Sequence, residues 1–183
     1  MLERVMVFID GANLFHGSRG YEAGYQVDTL KLVEELVGDR KLIRAYYYDS
    51  IPTDDQIKIN GQKSFHNLLE YNGFKVTALP LRTRGITYEC EKCGHQHTLQ
   101  KHMEKGVDIA LVTDMLSFGI MRYYDTGIMV SGDLDYFKAI EEVQRKGVKI
   151  EIAYFRNGGI SGELVRQADK FINLEEIAEK IRK

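Results

Sequence analysis

The sequence predicts an α/β fold in which helices cover both faces of a parallel sheet. Strand-like and helix-like segments alternate along the 183 residues, and the strand-like runs are continuously apolar rather than alternating. Such runs are typical of strands that are buried on both faces. A strand–helix–strand order implies right-handed crossovers between parallel strands. The expected architecture is therefore a three-layer α/β/α arrangement.

Five strands are predicted from short runs of β-branched, aromatic and other apolar residues. The first is the run VMVFI, and the second contains three consecutive tyrosines. The predicted strands cover residues 5–9, 42–48, 74–79, 127–130 and 148–154.

Helices are predicted between the strands from apolar residues at helical spacing. In the first helix Leu30, Val33 and Val37 follow this spacing, and Gly38 marks its end. A later segment is apolar on most sides, which indicates a buried helix. The predicted helices cover residues 27–37, 53–71, 107–118, 133–145 and 174–181.

The composition is that of a globular chain without a membrane span. The apolar fraction of 44% and the charged fraction of 28% are ordinary for a globular protein. No run approaches the ~18 consecutive apolar residues of a transmembrane helix, and no signal peptide is evident. Residues 1–183 are expected to form one domain. Both cysteines lie in one Cys90-x-x-Cys93 pair, which indicates a reducing compartment, and the cytoplasm is expected.

The charge balance argues against one mode of nucleic-acid binding. The net charge is −2, from 25 basic and 27 acidic residues, so the chain does not hold nucleic acid by bulk positive charge. A bound metal ion would reverse the local charge of an acidic site. The mild acidity therefore leaves a phosphate substrate open.

Acidic residues follow two of the apolar strands at the point where each strand ends. Asp10 follows the run VMVFI, and Asp133 and Asp135 follow the run IMVSG. Ligands of open α/β sheets bind outside the carboxyl ends of the strands, so these carboxylates are expected to converge. Converging carboxylates repel one another unless a cation, a proton or a base lies between them. A divalent-metal site is therefore the leading hypothesis.

Each of these residues also has a purely structural explanation. Aspartate is a favoured N-cap, so Asp10 could simply cap the turn that follows it. Either Ser131 or Asp133 could cap the next helix in the same way. Asp135 would then lie in the first turn, where a negative charge interacts favourably with the helix dipole. Placement at two strand ends favours the metal site over a coincidence of caps.

A fourth acidic residue, Asp108, lies where the buried helix at 107–118 begins. Helix capping again explains it equally well. Asp114 lies six residues further on, which turns it about 120° round the helix from Asp108. Asp114 is therefore not expected to bind the metal, and at most it would contact the residues that do.

Three strings resemble the signatures of the NYN domain, in the LabA-like branch of the PIN-like nuclease superfamily. They are VFIDGANL at 7–14, KGVDIAL at 105–111 and VSGDLDYF at 130–137, in the same order and spread over most of the chain. The resemblance implies a Rossmann-like PIN fold and a metal-dependent ribonuclease site. By position, the residues that match this site are Asp10, Asp108, Asp133 and Asp135, with Asn13 and Ser131 as supporting polar groups.

The resemblance implies hydrolysis of phosphodiester bonds in single-stranded RNA, with Mg²⁺ or Mn²⁺ as the catalytic cofactor. Such an ion positions and activates a water and stabilises charge on the phosphate. Asp10 and Asp133 are expected to be direct ligands. Asp108 and Asp135 are expected to orient water or to hold a second ion.

A cysteine-containing segment interrupts the α/β alternation and resembles a zinc-knuckle hairpin, inserted at about residues 82–101. Cys90 and Cys93 flank a tight turn in which Gly94 can adopt an unusual backbone angle. A surface hairpin with reduced thiols is the alternative. A redox role is less favoured because the pair does not follow a strand and open a helix.

Histidines close to the cysteines offer further zinc ligands. His95 and His97 lie on the same side of an extended strand, and either could complete the site. His102 is a further candidate. Zinc here is expected to be structural, and separate from the catalytic Mg²⁺ or Mn²⁺.

Basic residues around the insert and near the end of the chain are candidates for contacts with RNA phosphates. Each is also a common type of solvated surface residue. The candidates are Arg82, Arg84, Lys101, Lys105 and Arg156.

Other classes of function find less support in the sequence. There is no Gly-x-Ser-x-Gly elbow and no Walker loop. A phosphatase of the haloacid dehalogenase type would have a second aspartate where this chain has Ala12. The remaining alternative is a non-catalytic RNA- or protein-binding regulatory module with a PIN-like fold and a structural zinc hairpin. A homodimer is left open.

Overall fold

A computed structural model describes residues 2–53, 55–90, 93–103 and 106–183 of the chain. Its strands form a six-stranded sheet and a separate two-stranded sheet. In chain order the strands are β1 (Arg4–Asp10), β2 (Lys41–Ile51), β3 (Lys75–Pro80), β4 (Arg82–Glu89), β5 (Gln96–Met103), β6 (Thr126–Val130), β7 (Lys149–Tyr154) and β8 (Lys170–Asn173).

The strand order of the larger sheet creates a crevice at its centre. The order is β3-β2-β1-β6-β7-β8, and every neighbouring pair is parallel. The chain builds outward from β1 to β3, returns to the centre, and builds outward in the other direction from β6 to β8. Segments that leave β1 and β6 therefore diverge at the carboxyl ends of these two strands. This reversal is where open α/β sheets bind their ligands.

Helices cover both faces of this sheet. They are α1 (Gly11–Tyr21), α2 (Thr29–Val37), α3 (Gln56–Tyr71), α4 (Val107–Ile120), α5 (Phe137–Arg145) and α6 (Gly162–Gln167). No helix within the described ranges is both long and apolar enough to cross a membrane.

Two hydrophobic clusters, one on each face of the sheet, form the core. In β1 the side chains of Val7 and Ile9 belong to the cluster under α1, α2 and α3, whereas Phe8 belongs to the cluster under α4, α5 and α6. This alternation follows from the two-residue period of a strand. It confirms the predicted three-layer α/β/α fold and the continuous burial of the strand.

The insert predicted at about residues 82–101 forms an antiparallel hairpin. β4 and β5 pair antiparallel, from Arg82 opposite Met103 to Glu89 opposite Gln96. The two strands form a sheet of their own rather than extending the parallel one.

The structure also contains elements that the sequence pattern does not predict. They are the helices α1 and α6, and the edge strand β8, which has four residues. In α1 the buried residues include Gly11, Gly17 and Ser18, so the helix has no apolar stripe. A Cβ atom at Gly11 would lie 2.6 Å from the hydroxyl oxygen of Tyr47, so the missing side chain makes room for the ring.

Two predicted helices differ in form. The segment predicted at 133–145 begins as a 3₁₀ turn at Leu134–Tyr136, capped by Asp133, and becomes α-helical from Phe137. The segment predicted at 174–181 is a 3₁₀ helix over Leu174–Ile177 only. In both places a capping side chain starts a tight turn, which an apolar periodicity does not distinguish from an α-helix.

An ion-pair cluster joins the amino-terminal side of the sheet. Nη1 of Arg40 lies 2.9 Å from Oε1 of Glu151 and 3.7 Å from Oε2 of Glu3, and its Nε donates to the carbonyl of Val37. The second oxygen of Glu151 is buried and accepts no hydrogen bond within the described part of the chain. Glu151 thus depends on Arg40 for its charge compensation.

Replacing Arg40 should destabilise the protein more than replacing an exposed arginine. Arg40→Met leaves the Glu151 carboxylate buried without its partner, and we expect the free energy of unfolding to fall by about 3 kcal/mol. Arg145→Met is the matched control, since Arg145 is 64% exposed and pairs with Glu141 on the surface of α5. Arg145→Met should lower the free energy of unfolding by less than about 1 kcal/mol. Equal losses in urea unfolding would contradict this account of the cluster.

Candidate functional site

Asp10 is a buried carboxylate at the centre of the carboxyl edge of the sheet. It is the last residue of β1, it is only 2% exposed, and it is the N-cap of α1. The backbone N–H of Asn13 donates to its Oδ1 at 3.0 Å, and the Asn13 side-chain amide donates to its Oδ2 at 2.9 Å. Capping is therefore a real role of Asp10, and it fixes the orientation of the carboxylate at the strand end.

The hydroxyl of Tyr136 links Asp10 to Asp108. It lies 2.9 Å from Oδ2 of Asp10 and 3.0 Å from Oδ1 of Asp108, so these two oxygens are separated by no more than the sum of the two distances. A hydroxyl has only one proton to donate, so it satisfies one carboxylate fully at any moment. Two carboxylates close together, with one proton between them, favour a cation.

The surroundings of Asp10 oppose its ionisation. Burial is the main cause that raises the pKa of Asp10, and the nearby charge of Asp108 raises it further. The hydrogen bonds from Asn13 and Tyr136 act in the opposite direction. A divalent cation would favour the ionised form of both acids. A bound cation would thus offset the energy of burying this carboxylate.

Ser131 connects Asp10 to the acidic residues that follow β6. Its hydroxyl, which is fully buried, donates to Oδ2 of Asp10 at 3.4 Å and accepts from the backbone N–H of Asp133 at 3.2 Å. Oδ1 of Asp133 accepts from the backbone N–H of Asp135 at 2.9 Å. Of the two residues that the sequence offers as caps here, Asp133 is the one that caps the 3₁₀ turn.

Tyr154, at the end of β7, lies beside the segments that follow β1 and β6, because its hydroxyl reaches Asn13 and its ring packs against Gly132. Its hydroxyl donates to the carbonyl of Asn13 at 3.0 Å. Burial raises the pKa of Tyr154 to about 12, and the charges of Asp10 and Asp133 contribute to that shift. The strand ends of β1, β6 and β7 therefore meet at one site.

The four acidic residues differ in how close they come to one another. Asp133 is half-buried and Asp135 is exposed at the edge of the site. Among the described residues, no three acids at this edge bring one ligand oxygen each within 4.8 Å of one another. This spacing suits Mg²⁺, which keeps several waters and takes only one or two carboxylates.

Asp114 is directed to a different partner, as the helical geometry predicts. Its Oδ2 accepts a hydrogen bond from the hydroxyl of Tyr48 at 2.8 Å. Tyr48 is fully buried and pairs with Asp10 in the register of β1 and β2.

Tyr136 is the site residue that sequence reasoning does not identify. The ring of this tyrosine, in the string VSGDLDYF, packs in the core with 1% exposure. Its position directly after Asp135, in a string that contains two of the acidic residues, is the local signal for it. Burial together with both carboxylate charges raises the pKa of Tyr136 well above its usual range, so the hydroxyl stays protonated.

A second group of metal-ligand side chains lies in the hairpin. One ligand atom each from Cys90, Cys93 and His97 lie within 4.8 Å of one another, and Sγ of Cys93 is 4.0 Å from Nε2 of His97. The carbonyl of Cys90 accepts from the backbone N–H groups of Cys93 and Gly94, and Gly94 has a φ of +67°. The turn thus directs both sulfur atoms toward the same point.

The other histidines of the hairpin differ in placement. Nδ1 of His95 lies 3.2 Å from the carbonyl of Cys93, and His95 is not part of the three-residue group. The ring of Tyr88 stacks on that of His97, with 5.6 Å between their centroids. The side chain of His102 lies outside the described residues.

The basic residues proposed for RNA contacts are only partly described. The guanidinium of Arg156 lies 5.3 Å from the centroid of the Phe171 ring, in the turn that follows β7. Arg156 therefore lies on the carboxyl side of the sheet, as the acidic residues do. Residue Lys105 and the side chains of Arg82, Arg84 and Lys101 lie outside the described residues.

Known proteins resemble this chain over nearly its whole length. Low amplitude and bright protein LabA from Synechococcus elongatus is 26% identical over 182 residues, which cover 98% of this chain and 88% of that protein. A crystal structure of a protein of unknown function from Vibrio parahaemolyticus has the same fold. Its TM-score is 0.72 at 20% identity, and the match covers 100% of this chain and 97% of that one.

The family model for the NYN domain matches residues 4–175. The match includes all four acidic residues, Tyr136 and the cysteine hairpin. At the level of the family it supports a nuclease-type function on a PIN-like fold. The chain belongs to the NYN domain family.

Proposed function

We propose that the protein is a divalent-metal-dependent ribonuclease that hydrolyses phosphodiester bonds of single-stranded RNA. The observation that supports this most strongly is the buried Asp10 carboxylate, which faces Asp108 across one shared tyrosine hydroxyl. A buried acid at the sheet reversal, close to a second acid that is itself exposed, is costly for the fold alone, and a cation would relieve that cost.

The donor set fits a hard divalent cation because every ligand that it offers is an oxygen. Asp10 would hold Mg²⁺ or Mn²⁺ together with Asp108, which replaces Asp133 as the second direct ligand that the sequence suggests, because the Tyr136 hydroxyl contacts both Asp10 and Asp108. Asp133 would lie nearby. A bound ion would supply Lewis-acid stabilisation of the phosphate and a more acidic water.

The remaining groups of the site do not bind the ion. They hold the carboxylates in place, orient water or contact the RNA. Asn13 and Ser131 hold the Asp10 carboxylate in place, and Tyr136 keeps a proton between Asp10 and Asp108. Asp135, which is exposed, would orient the attacking water. Arg156 would contact a phosphate of the RNA strand, as would Arg82, Arg84 and Lys105.

Replacing Asp10 should abolish metal-dependent cleavage without harming the fold. Asp10→Asn keeps a good N-cap but removes the charge, so we expect cleavage of single-stranded RNA with Mn²⁺ to fall by about a hundredfold or more. Asp28→Asn is the matched control, because Asp28 caps α2 with a similar extended backbone and lies away from the site. Its cleavage rate should equal that of the wild type. Failure of the wild type itself to cleave would favour the non-catalytic binding module.

Removing the hydroxyl of Tyr136 should change how stability depends on pH. Tyr136→Phe removes a donor that lowers the pKa of Asp10, so this pKa rises further. In the metal-free protein this destabilises the variant wherever Asp10 of the folded wild type is ionised, which is above a pKa already raised over the ordinary aspartate value of about 4. The deficit of the variant in unfolding free energy should therefore grow as the pH rises through the Asp10 pKa of the folded wild type, and narrow below it. Metal-dependent cleavage should fall about tenfold.

Tyr124→Phe is the control for this pH dependence. The hydroxyl of Tyr124 is also buried, but it donates to the carbonyl of Met115 and contacts no acid. Its loss should cost about 1 kcal/mol at every pH. Parallel curves for the two variants in urea unfolding between pH 3 and 8 would contradict the proposed role of Tyr136.

We further propose that the hairpin holds a structural Zn²⁺ through Cys90, Cys93 and His97. Two thiolates and an imidazole are typical zinc ligands, and zinc completes its tetrahedral shell with one further ligand. The soft sulfur ligands of this group distinguish it from the oxygen ligands around Asp10. The two metals would therefore occupy separate sites.

Zinc content should depend on one histidine and not on its neighbour. We expect about one Zn²⁺ per chain after purification, with its affinity lowered at least tenfold in His97→Asn. His95→Asn, two residues away, should retain the metal because His95 is not in the ligand group. Zinc would be measured by colorimetric release. A loss caused equally by both variants would contradict the assignment of His97.

A further inference from the structure

We propose that the cavity between α1, the end of β2 and α3 is a nucleobase subsite that selects guanine. The proposal rests on the ribonuclease function proposed above, for which this cavity would set the sequence preference. Gly11 and Ala12, which directly follow Asp10, line this cavity. A base seated there would thus belong to a nucleotide next to the phosphate at the acidic site.

The cavity has a suitable size and is lined by both aromatic and polar side chains. Its volume is about 550 Å³, within the range of small-molecule sites. The side chains that would contact a base are Phe15, Tyr47, Asp49, Gln62 and Phe65.

Asp49 is a fixed hydrogen-bond acceptor in the wall of this cavity. Its Oδ2 accepts from Nε2 of Gln62 at 2.6 Å and lies 2.8 Å from Nε2 of His66, while its Oδ1 accepts from the backbone N–H of Ser50 at 2.8 Å. A carboxylate has about four acceptor positions, and these three contacts leave one of them open, on Oδ1. His66 is buried and does not line the cavity, so it acts as a positioning residue.

Gln62 supplies a second acceptor beside Asp49. Its amide nitrogen donates to Asp49 and also to the carbonyl of Ser50 at 2.8 Å. This orientation leaves its Oε1 without a donor among the described residues. His16 and Lys58 also line the cavity, and Lys58 is paired with Asp55 at 3.2 Å. Beside them, the wall presents two acceptors, on Asp49 and Gln62.

Two adjacent acceptors are complementary to one nucleobase edge in particular. The Watson–Crick edge of guanine presents two neighbouring donors, its ring N–H and its amino group. Adenine and cytosine place an acceptor beside their amino group, and uracil places carbonyls on both sides of its single N–H. Single-stranded RNA offers these edges because its bases are unstacked and accessible.

Aromatic rings in the cavity provide a surface for stacking. Phe15 is 52% exposed, and Arg19 covers its ring at 4.5 Å from the centroid. Tyr47 and Phe65 form an edge-to-face pair with 5.5 Å between centroids. Stacking on such rings is a general mode of single-strand binding and does not depend on which base is bound. Phe15 would therefore supply affinity, and Asp49 with Gln62 would supply the preference for guanine.

The test is a titration of the full chain with mononucleotides in the presence of EDTA, followed by two-dimensional amide NMR. We expect guanosine 5′-monophosphate to shift the signals of Gly11, Ala12 and Ser50, and to bind at least tenfold more tightly than uridine 5′-monophosphate. Ribose 5-phosphate, which lacks a base, should bind more weakly than either. Because no metal is present and nothing is cleaved, the outcome is independent of whether the acidic site is a nuclease.

Variants separate stacking from base selection. Asp49→Asn and Gln62→Met should each reduce the preference for guanosine over uridine monophosphate to less than threefold. Phe15→Ala should weaken the binding of both nucleotides about tenfold. Tyr71→Ala, which removes a 91% exposed ring elsewhere on the protein, should change neither. Thermal unfolding of each variant confirms that it is folded.

Three results would overturn the proposal. They are equal affinities for the two nucleotides in the wild type, signal shifts confined to residues outside the cavity, and a guanine preference that survives in both Asp49→Asn and Gln62→Met. Loss of RNA cleavage in the wild type, with the guanine preference intact, would instead overturn only the proposed ribonuclease function.

Discussion

The position of the Asp10 carboxylate, at the reversal of strand order, is the constraint on which the rest of the site depends. In the six-stranded sheet, β1 lies at the centre, with β2 on the side that extends to β3 and β6 on the side that extends to β8. Its final residue, Asp10, is therefore covered by the two chain segments that diverge after β1 and β6, and it is excluded from water. A charge in such a place requires compensation. The donors from Asn13, Ser131 and Tyr136 give only part of it, since burial still raises the pKa of Asp10.

The amino-terminal and carboxyl edges of the sheet differ in how a buried charge is compensated. On the amino-terminal side, Glu151 is compensated within the chain by the guanidinium of Arg40. At the carboxyl edge, the described side chains around Asp10 supply neutral donors and a second acid, but no cation. Internal compensation is what a structural ion pair requires. A site built without it is suited to a cation or to a charged ligand from outside.

The sequence predicts those features that depend on continuous apolar runs and on residues at strand ends. Thus the parallel sheet, the three layers and the neighbouring positions of Asp10 and Asp133 follow from local pattern and the general behaviour of α/β sheets. The helix α1 does not follow, because apart from Leu14 its buried residues are small, and two of them accommodate aromatic rings from other strands. At Gly17 a Cβ atom would lie 2.7 Å from the Tyr154 ring, a contact that no local pattern reports.

A local pattern can predict the acidic residues, but it cannot predict the distant side chains that hydrogen-bond to them. An acid after an apolar strand is a local signal, but the contact of Tyr136 with Asp108 joins residues 28 positions apart. Likewise, Asp49 meets Gln62 and His66 only because α3 folds back over the end of β2. In both places a buried polar side chain fixes a carboxylate whose position in the sequence is unremarkable. Since a carboxylate becomes selective only when its orientation is fixed, the chemistry of each site depends on these distant partners as much as on the acid.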